Sequence, residues 1–416
     1  MISSTLMLVA IVLVFARTLF SLFLEMLNMR NVCANAFDVP ETYKGFVDAD
    51  SYHKSVAYTL DKTRFAMIEG VYSALVLCAF LLFGAFPSIF GFCENLWGAS
   101  LFGQSLTVIA ALTIYSLFDI PFDLYEQFVL EEKHGFNKMT LGLWIKDQIK
   151  SLLLSFVIGA PLLWLFLLFY NSFENTWWLW CFFAIVAVQL VMIMIYPKLI
   201  LPLFNKITPL PDGVLKDAIF ALAKKCNFKT TAIQVMDGSR RSSHSNAFFT
   251  GFGKFRRVIF YDTILEQLSN EQIVSVLAHE IGHYKKGHIW STMFLTFAST
   301  LAGFYIMGVL AKCPYFYESF GFSQNSGFGA LLILFSILSP LFTFWLTPIF
   351  NQISRKHEYQ ADSFAKATCG TPDNLIEALR KLHKKNLGNL TPHRLYSAFY
   401  YSHPTLMERE FNLKNN

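Results

Sequence analysis

The sequence predicts a mainly α-helical, polytopic membrane protein of seven transmembrane helices, with a small α/β domain bearing a zinc site on the cytoplasmic side. Three observations predict it. The 416-residue chain is 54% apolar and only 15% charged, where a soluble domain carries about 25% charged residues. Apolar runs recur at the length of about 20 residues that crosses roughly 30 Å of hydrocarbon. Finally, His279-Glu280-Ile281-Gly282-His283 sets two imidazoles four residues apart on one helix face. At that spacing both bind a single Zn²⁺, and the glutamate beside them is placed as general base.

Composition narrows the class further. Mean hydropathy is +0.42, and the 44 phenylalanines suit lipid-facing helices better than a wet shell. A net charge of +5 without basic runs argues against nucleic acid as a partner. The seven cysteines are scattered with no C-x-x-C pair, so neither a disulfide framework nor a thiolate-bound zinc is signalled. Several fall in apolar segments, as small core residues do.

Seven runs qualify as spans, at about 3–24, 66–87, 99–118, 151–170, 177–197, 289–311 and 328–350. The first lacks a basic flank and an A-x-A-like cleavage site, so it is expected to be retained. Arg17 interrupts it; the simpler reading is snorkelling to the nearer interface, the other a role facing an internal cavity. Trp177, Trp178, Trp180 and Tyr196 stand where interfacial belts belong. The connections 88–98 and 171–176 contain no Lys or Arg, and 312–327 contains only Lys312. Every other basic residue except Arg17 falls on the opposite face, which puts the N-terminus outside and the C-terminus in the cytoplasm.

The expected organisation follows. Residues 1–200 form an N-terminal transmembrane region of five spans with cytoplasmic loops 25–65 and 119–150. Residues 201–288 form a cytoplasmic catalytic part, 289–350 hold the sixth and seventh spans, and 351–416 form a cytoplasmic C-terminal part. Pro197, Pro202, Pro209 and Pro211 break the fifth span and lead into a helix near 212–227. Strands are expected at 231–236, 246–249 and 256–261, with a polar turn from Asp237 to Ser245. Ser269 and Gln272 have capping-box spacing ahead of the apolar stripe Ile273, Val276, Leu277 and Ile281, which starts the helix carrying the motif. That helix runs almost directly into the sixth span. Helical patterns follow the seventh span at about 352–367 and 372–386.

A catalytic zinc takes three protein ligands and one water, so the two histidines need a partner from a separate helix. Arg355-Lys356-His357-Glu358-Tyr359-Gln360-Ala361-Asp362 offers one. Glu358 and Asp362 lie four apart on a common face, so one can ligate while the other accepts an N–H from a ligand imidazole. His357 competes for the third position.

These residues bring a resemblance into view. Four stretches make the chain similar to the Ste24-type CAAX prenyl proteases, seven-span membrane gluzincins: Glu131-Glu132-Lys133-His134-Gly135-Phe136-Asn137-Lys138, Pro202-Leu203-Phe204-Asn205-Lys206, the H-E-x-x-H, and Arg355 to Asp362. Tyr401-Ser402-His403-Pro404-Thr405 matches a late His-Pro element of the family. The resemblance implies one Zn²⁺ on His279, His283 and Glu358, with Glu280 as general base and acid. It further implies Asp362 orienting a ligand histidine, Arg409 pairing with that acidic shell, and His403 opposing the developing oxyanion. Asn246 would lie on a strand against which the substrate backbone docks. The family encloses a large chamber within its spans, able to admit a peptide carrying a C-terminal prenyl group. The implied partners are therefore the bilayer and proteins ending in C-a-a-X. The implied membrane is the endoplasmic reticulum in a eukaryote or the inner membrane in a bacterium. For the Glu131–Lys138 stretch, a solvated loop stands against a framework between the third and fourth spans. Two other functions compete. A membrane quality-control zinc protease without a prenyl requirement generally has fewer spans, and a non-catalytic channel or lipid-binding protein has no use for Glu280.

Overall fold

The computed structural model describes residues 5–228, 232–250, 257–323 and 326–415, with backbone alone at 249 and 250. Residues 3, 4, 231 and 256 of the expected spans and strands fall outside these. Among the described residues, six helices are long and apolar enough to span a membrane: Thr5–Ala34, Ala49–Leu82, Leu141–Ser172, Trp177–Phe204, His288–Leu310 and Gly327–Cys369. The pair Leu101–Ser116 and Ile120–Lys133, bent by 50°, passes the same test together and makes a seventh if the two count as one broken span.

The helices outrun the apolar stretches that announced them. The second begins at Ala49 rather than near 66, capped by Asp48 accepting from the Ser51 N–H, and the fourth begins at Leu141. Hydrophobicity marks only the length that lipid must cover, while helical hydrogen bonding continues into water wherever a cap permits. The 88–98 connection is also corrected. Gly84 takes a left-handed conformation (φ 65°) and ends the second helix, and Ala85–Trp97 forms a separate helix. The helix beginning at Gly327 lies at the centre of the bundle. Phe328, Leu331, Leu334 and Leu341 are almost fully buried and pack with Phe86, Phe90, Leu167 and Trp177.

The small domain is assembled from both halves of the C-terminal region. β1 (Ile207–Pro209), β2 (Ala232–Met236), β3 (Ala247–Thr250) and β4 (Arg257–Tyr261) form a sheet in the order β1-β2-β4-β3, with only β2 and β4 parallel. Its core joins Ile219, Val258, Phe260, Ile273, Leu277 and Ile281 to Ala365, Ile376 and Leu413. Residues of the C-terminal part therefore complete a core built mainly by residues 201–288. The motif helix, Asn270–Lys285, starts at the capping box read from the sequence, with Ser269 and Gln272 bonded reciprocally.

Two membrane helices reach the domain directly. Only Lys286 and a left-handed Gly287 (φ 73°) separate the motif helix from the span His288–Leu310. The seventh span passes through a short turn at Phe344–Leu346 into Thr347–Cys369, the tail helix. These two extensions cross at Gly282, where an added Cβ would meet the Ala361 Cα and O at 3.0 Å. Those atoms are backbone and have nowhere to go. Gly282→Val is therefore expected to cost about 1–3 kcal/mol by overpacking, against only a few tenths of a kcal/mol regained in helix propensity. A thermal midpoint lower than wild type, with reduced metal content, is the expected result; an unchanged midpoint would refute the close crossing.

Candidate metal centre

The crossing brings three ligand-bearing side chains together. His279 and His283 project from the motif helix, and the two Nε2 atoms lie 3.2 Å apart. Glu358, on the tail helix, sets Oε2 3.4 Å from His279 Nε2 and Oε1 3.2 Å from His283 Nε2. Asp362, one turn further along, stands behind His279 with Oδ1 2.8 Å from Nδ1. His357 is excluded from the group: its ring stacks on His288 at 4.1 Å between centroids.

Three properties of this group fit a zinc ion. Ligands at about 2.0–2.1 Å in a tetrahedron stand about 3.3 Å from one another; the two imidazole Nε2 atoms are 3.2 Å apart, and each has one of the two Glu358 oxygens within 3.2–3.4 Å. Glu358 Oε2 is buried with no hydrogen-bond partner among the described residues, and the Arg409 guanidinium, at 3.6 Å, is too far to bond it, which leaves room for a closer cation. Charge points the same way. Glu280, Glu358 and Asp362 face the single guanidinium of Arg409, leaving two negative charges that a divalent cation would neutralise.

Arg409 comes from the last helix, Leu406–Asn415, and is itself buried. It grips Asp362 with two bonds, Nε to Oδ2 at 2.9 Å and NH2 to Oδ1 at 2.6 Å. NH1 lies 3.6 Å from Glu358 Oε2. NH2 also approaches His279 Nδ1 at 3.3 Å. We read that approach as two donors sharing Asp362 Oδ1, since the 2.8 Å carboxylate contact claims the imidazole proton. Asp362 thereby fixes His279 with Nε2 as its lone-pair nitrogen. Glu280 is half-buried, and desolvation pushes its carboxyl above the ordinary value against the pull of the two imidazoles.

His403 approaches from the C-terminal segment, its Nε2 3.5 Å from Glu358 Oε1 and its ring 64% exposed. Ser402 Oγ lies 3.0 Å from its Nδ1. Beside it opens a cavity of about 410 Å³, walled by Leu379, Leu382, Tyr400, Tyr401 and Arg409. Asn246 is not part of the ligand group; it is exposed, immediately before the edge strand β3. Its carbonyl accepts from Tyr261 N at 3.0 Å, and its Oδ1 accepts from Ala247 N at 2.8 Å. Arg17 faces a second cavity, of about 310 Å³, lined also by Ser21, Glu25, Glu69 and Ser73. That favours the cavity-facing alternative over snorkelling.

Of the two readings of the Glu131–Lys138 stretch the structure favours the framework, through partners that the sequence did not indicate. Glu131 accepts from Tyr58 OH at 2.6 Å and meets His244 Nε2 at 3.3 Å, while His244 stacks on Phe136 at 4.0 Å. His134 is no ligand; it bonds Asp61 Oδ2 at 2.9 Å. Arg241 forks onto Asp147 at 2.8 and 2.9 Å and reaches Asn205 at 3.0 Å. The Glu131–Lys138 stretch is thus a joint between membrane helices and the polar turn, not a solvated loop. No local pattern marks Arg241 or His244, whose partners are far away in the chain.

Comparison with known proteins gives the same order of parts. Residues 28–206 match the family described as CAAX prenyl protease N-terminal, five membrane helices, and residues 209–416 match peptidase family M48. CAAX prenyl protease 1 of Saccharomyces cerevisiae is 38% identical over 400 residues, covering 89% of this chain and 87% of the yeast protein. The Homo sapiens CAAX prenyl protease 1 homolog is 35% identical, covering 93% and 91%. The crystal structure of S. mikatae Ste24p superposes with a TM-score of 0.91 at 33% identity, covering 99% of each chain. With both its membrane half and its peptidase half matched, the chain belongs to the CAAX prenyl protease branch of peptidase family M48 and is a multi-pass membrane metalloprotease.

Proposed function

We propose that this protein hydrolyses the peptide bond that releases the last three residues of prenylated proteins ending in C-a-a-X, with zinc as its metal. The observation that carries the reading is the His279–His283–Glu358 group on helices that continue two membrane spans, with Glu280 beside it. His279, His283 and Glu358 would hold the ion, which when bound supplies a Lewis acid for the scissile carbonyl and a lowered pKa for the attacking water. Glu280 takes the proton from that water and delivers it to the leaving amine. His403, within reach of Glu358, donates toward the oxygen on which negative charge develops. Asp362 and Arg409 hold His279 in register. The outer edge of β3, just after Asn246, offers backbone groups to an extended substrate. The Lys/Arg asymmetry supports a site facing the cytoplasm, with the endoplasmic reticulum membrane as the location in a eukaryotic cell.

The test is the purified protein with matched farnesylated and unmodified C-a-a-X peptides. Cleavage of the farnesylated peptide, abolished by a zinc chelator and restored by added zinc, is expected. Equal rates on both peptides would favour a general membrane protease without a prenyl requirement, and cleavage that survives complete metal removal would refute the zinc mechanism.

A further inference from the structure

Of the two imidazoles on the motif helix, only His279 has a carboxylate behind it. His283 meets another ring: its Nδ1 lies 3.0 Å from His288 Nδ1, and His288 Nε2 lies 2.8 Å from Gln360 Oε1. His288 is buried, with His357 stacked against it at 11° between the planes. We propose that His288, held by Gln360 and His357, is the positioning residue for His283. It would fix the tautomer and ring orientation that leave His283 Nε2 free for the metal.

Proton accounting supports this. An imidazole that ligates through Nε2 carries its hydrogen on Nδ1. At 3.0 Å from His288 Nδ1 that hydrogen has one acceptor, so His288 Nδ1 must hold a lone pair. The hydrogen of His288 then sits on Nε2 and points at an amide oxygen, which can only accept. Each member of the chain from Gln360 to His283 is satisfied in a single arrangement, and that arrangement presents Nε2 to Glu358 and His279.

The backbone makes the contact possible. In an unbroken helix a residue five positions on points about 140° away. The left-handed Gly287 breaks the helix just before His288 and lets its ring turn back under His283. On the tail helix the duties divide by face. Glu358 and Asp362, four apart, serve the metal and His279, while His357 and Gln360, three apart, serve His288. A neutral partner also suits the charge. The site already sets three carboxylates against one guanidinium, and a fourth would leave the ion over-compensated in a buried space.

This inference rests on the metalloprotease reading, and the experiment separates the two. Zinc affinity of the full-length, detergent-purified chain is measured by competition with a chromogenic chelator, alongside the absorption spectrum of the Co²⁺ form. His288→Leu is expected to bind zinc about tenfold to a hundredfold more weakly, with shifted Co²⁺ bands. His288→Asn, which offers an amide oxygen near the position of the ring Nδ1, should recover most of that affinity. Gln360→Leu cuts only the outer bond and should weaken binding several-fold; it decides the matter alone if His288→Leu does not fold. Wild-type affinity in the leucine variants, or an Asn variant no better than Leu, would overturn the positioning role alone. Absence of zinc binding by the wild-type protein would overturn the metal reading and this inference with it.

Discussion

Replacing Glu280 by alanine is expected to lower kcat by about 10²–10⁴-fold, the range supplied by a positioned general acid–base group, while zinc content stays at the wild-type level. The two halves of this expectation have separate causes. The metal group consists of atoms from His279, His283 and Glu358 alone, within 4.8 Å of one another, and Glu280 is not among them. Its side chain leaves the helix about 100° around the axis from His279, beside the group rather than in it. Burial raises its proton affinity, which suits a group that must accept a proton and then return it. Turnover of the farnesylated peptide and zinc stoichiometry should be measured on the same preparation. Loss of zinc together with activity would show that Glu280 holds the site together instead of moving protons.

Arg409→Met should destabilise the protein by about 3–5 kcal/mol, the cost of stranding buried charge. Asp362 is fully buried and Glu358 nearly so, at 0% and 4% exposure, and Arg409 is the guanidinium that reaches both. Methionine fills similar volume but leaves the two carboxylates without that counter-charge. Saturating zinc should recover part of the loss, because a ligand at 100 times its Kd adds about 2.7 kcal/mol to the state that binds it. The double variant Arg409→Met, Asp362→Leu removes both members of the tightest pair and should be more stable than the single one. Thermal unfolding with and without zinc reads both effects. A single variant as stable as wild type would mean that the guanidinium does not compensate the buried carboxylates.

Legibility in the sequence followed the range of each interaction. The H-E-x-x-H, the Ser269–Gln272 capping box and the Glu358–Asp362 pair all lie within one helical turn, and each could be seen without a structure. The apolar runs marked the six spanning helices and the bent pair at 101–133 because lipid imposes a length. They misplaced the start of the second helix, whose polar first turns at 49–65 carry no lipid signal. The strand β1 went unseen: three residues ending in Pro209 have too little pattern, and they are ordered by pairing with β2. The choice among Glu358, Asp362 and His357 stayed open in the residues themselves, since all three are plausible donors on one helix. The crossing at Gly282 decided it by turning Glu358 toward the imidazoles, Asp362 behind His279, and His357 onto His288.

The sequence by itself determined the class of chemistry and its setting, a two-histidine, one-glutamate hydrolytic motif between membrane spans. Hydrophobicity and helical spacing are written residue by residue, so they survive without coordinates. Tertiary structure alone decided the partners: Arg409 on Asp362, Arg241 on Asp147, Glu131 on His244, and His288 with Gln360 behind His283. A lone arginine or histidine in a sequence has many possible counterparts. Only burial, which makes an unpaired charge or ring nitrogen costly, selects the one that the fold supplies.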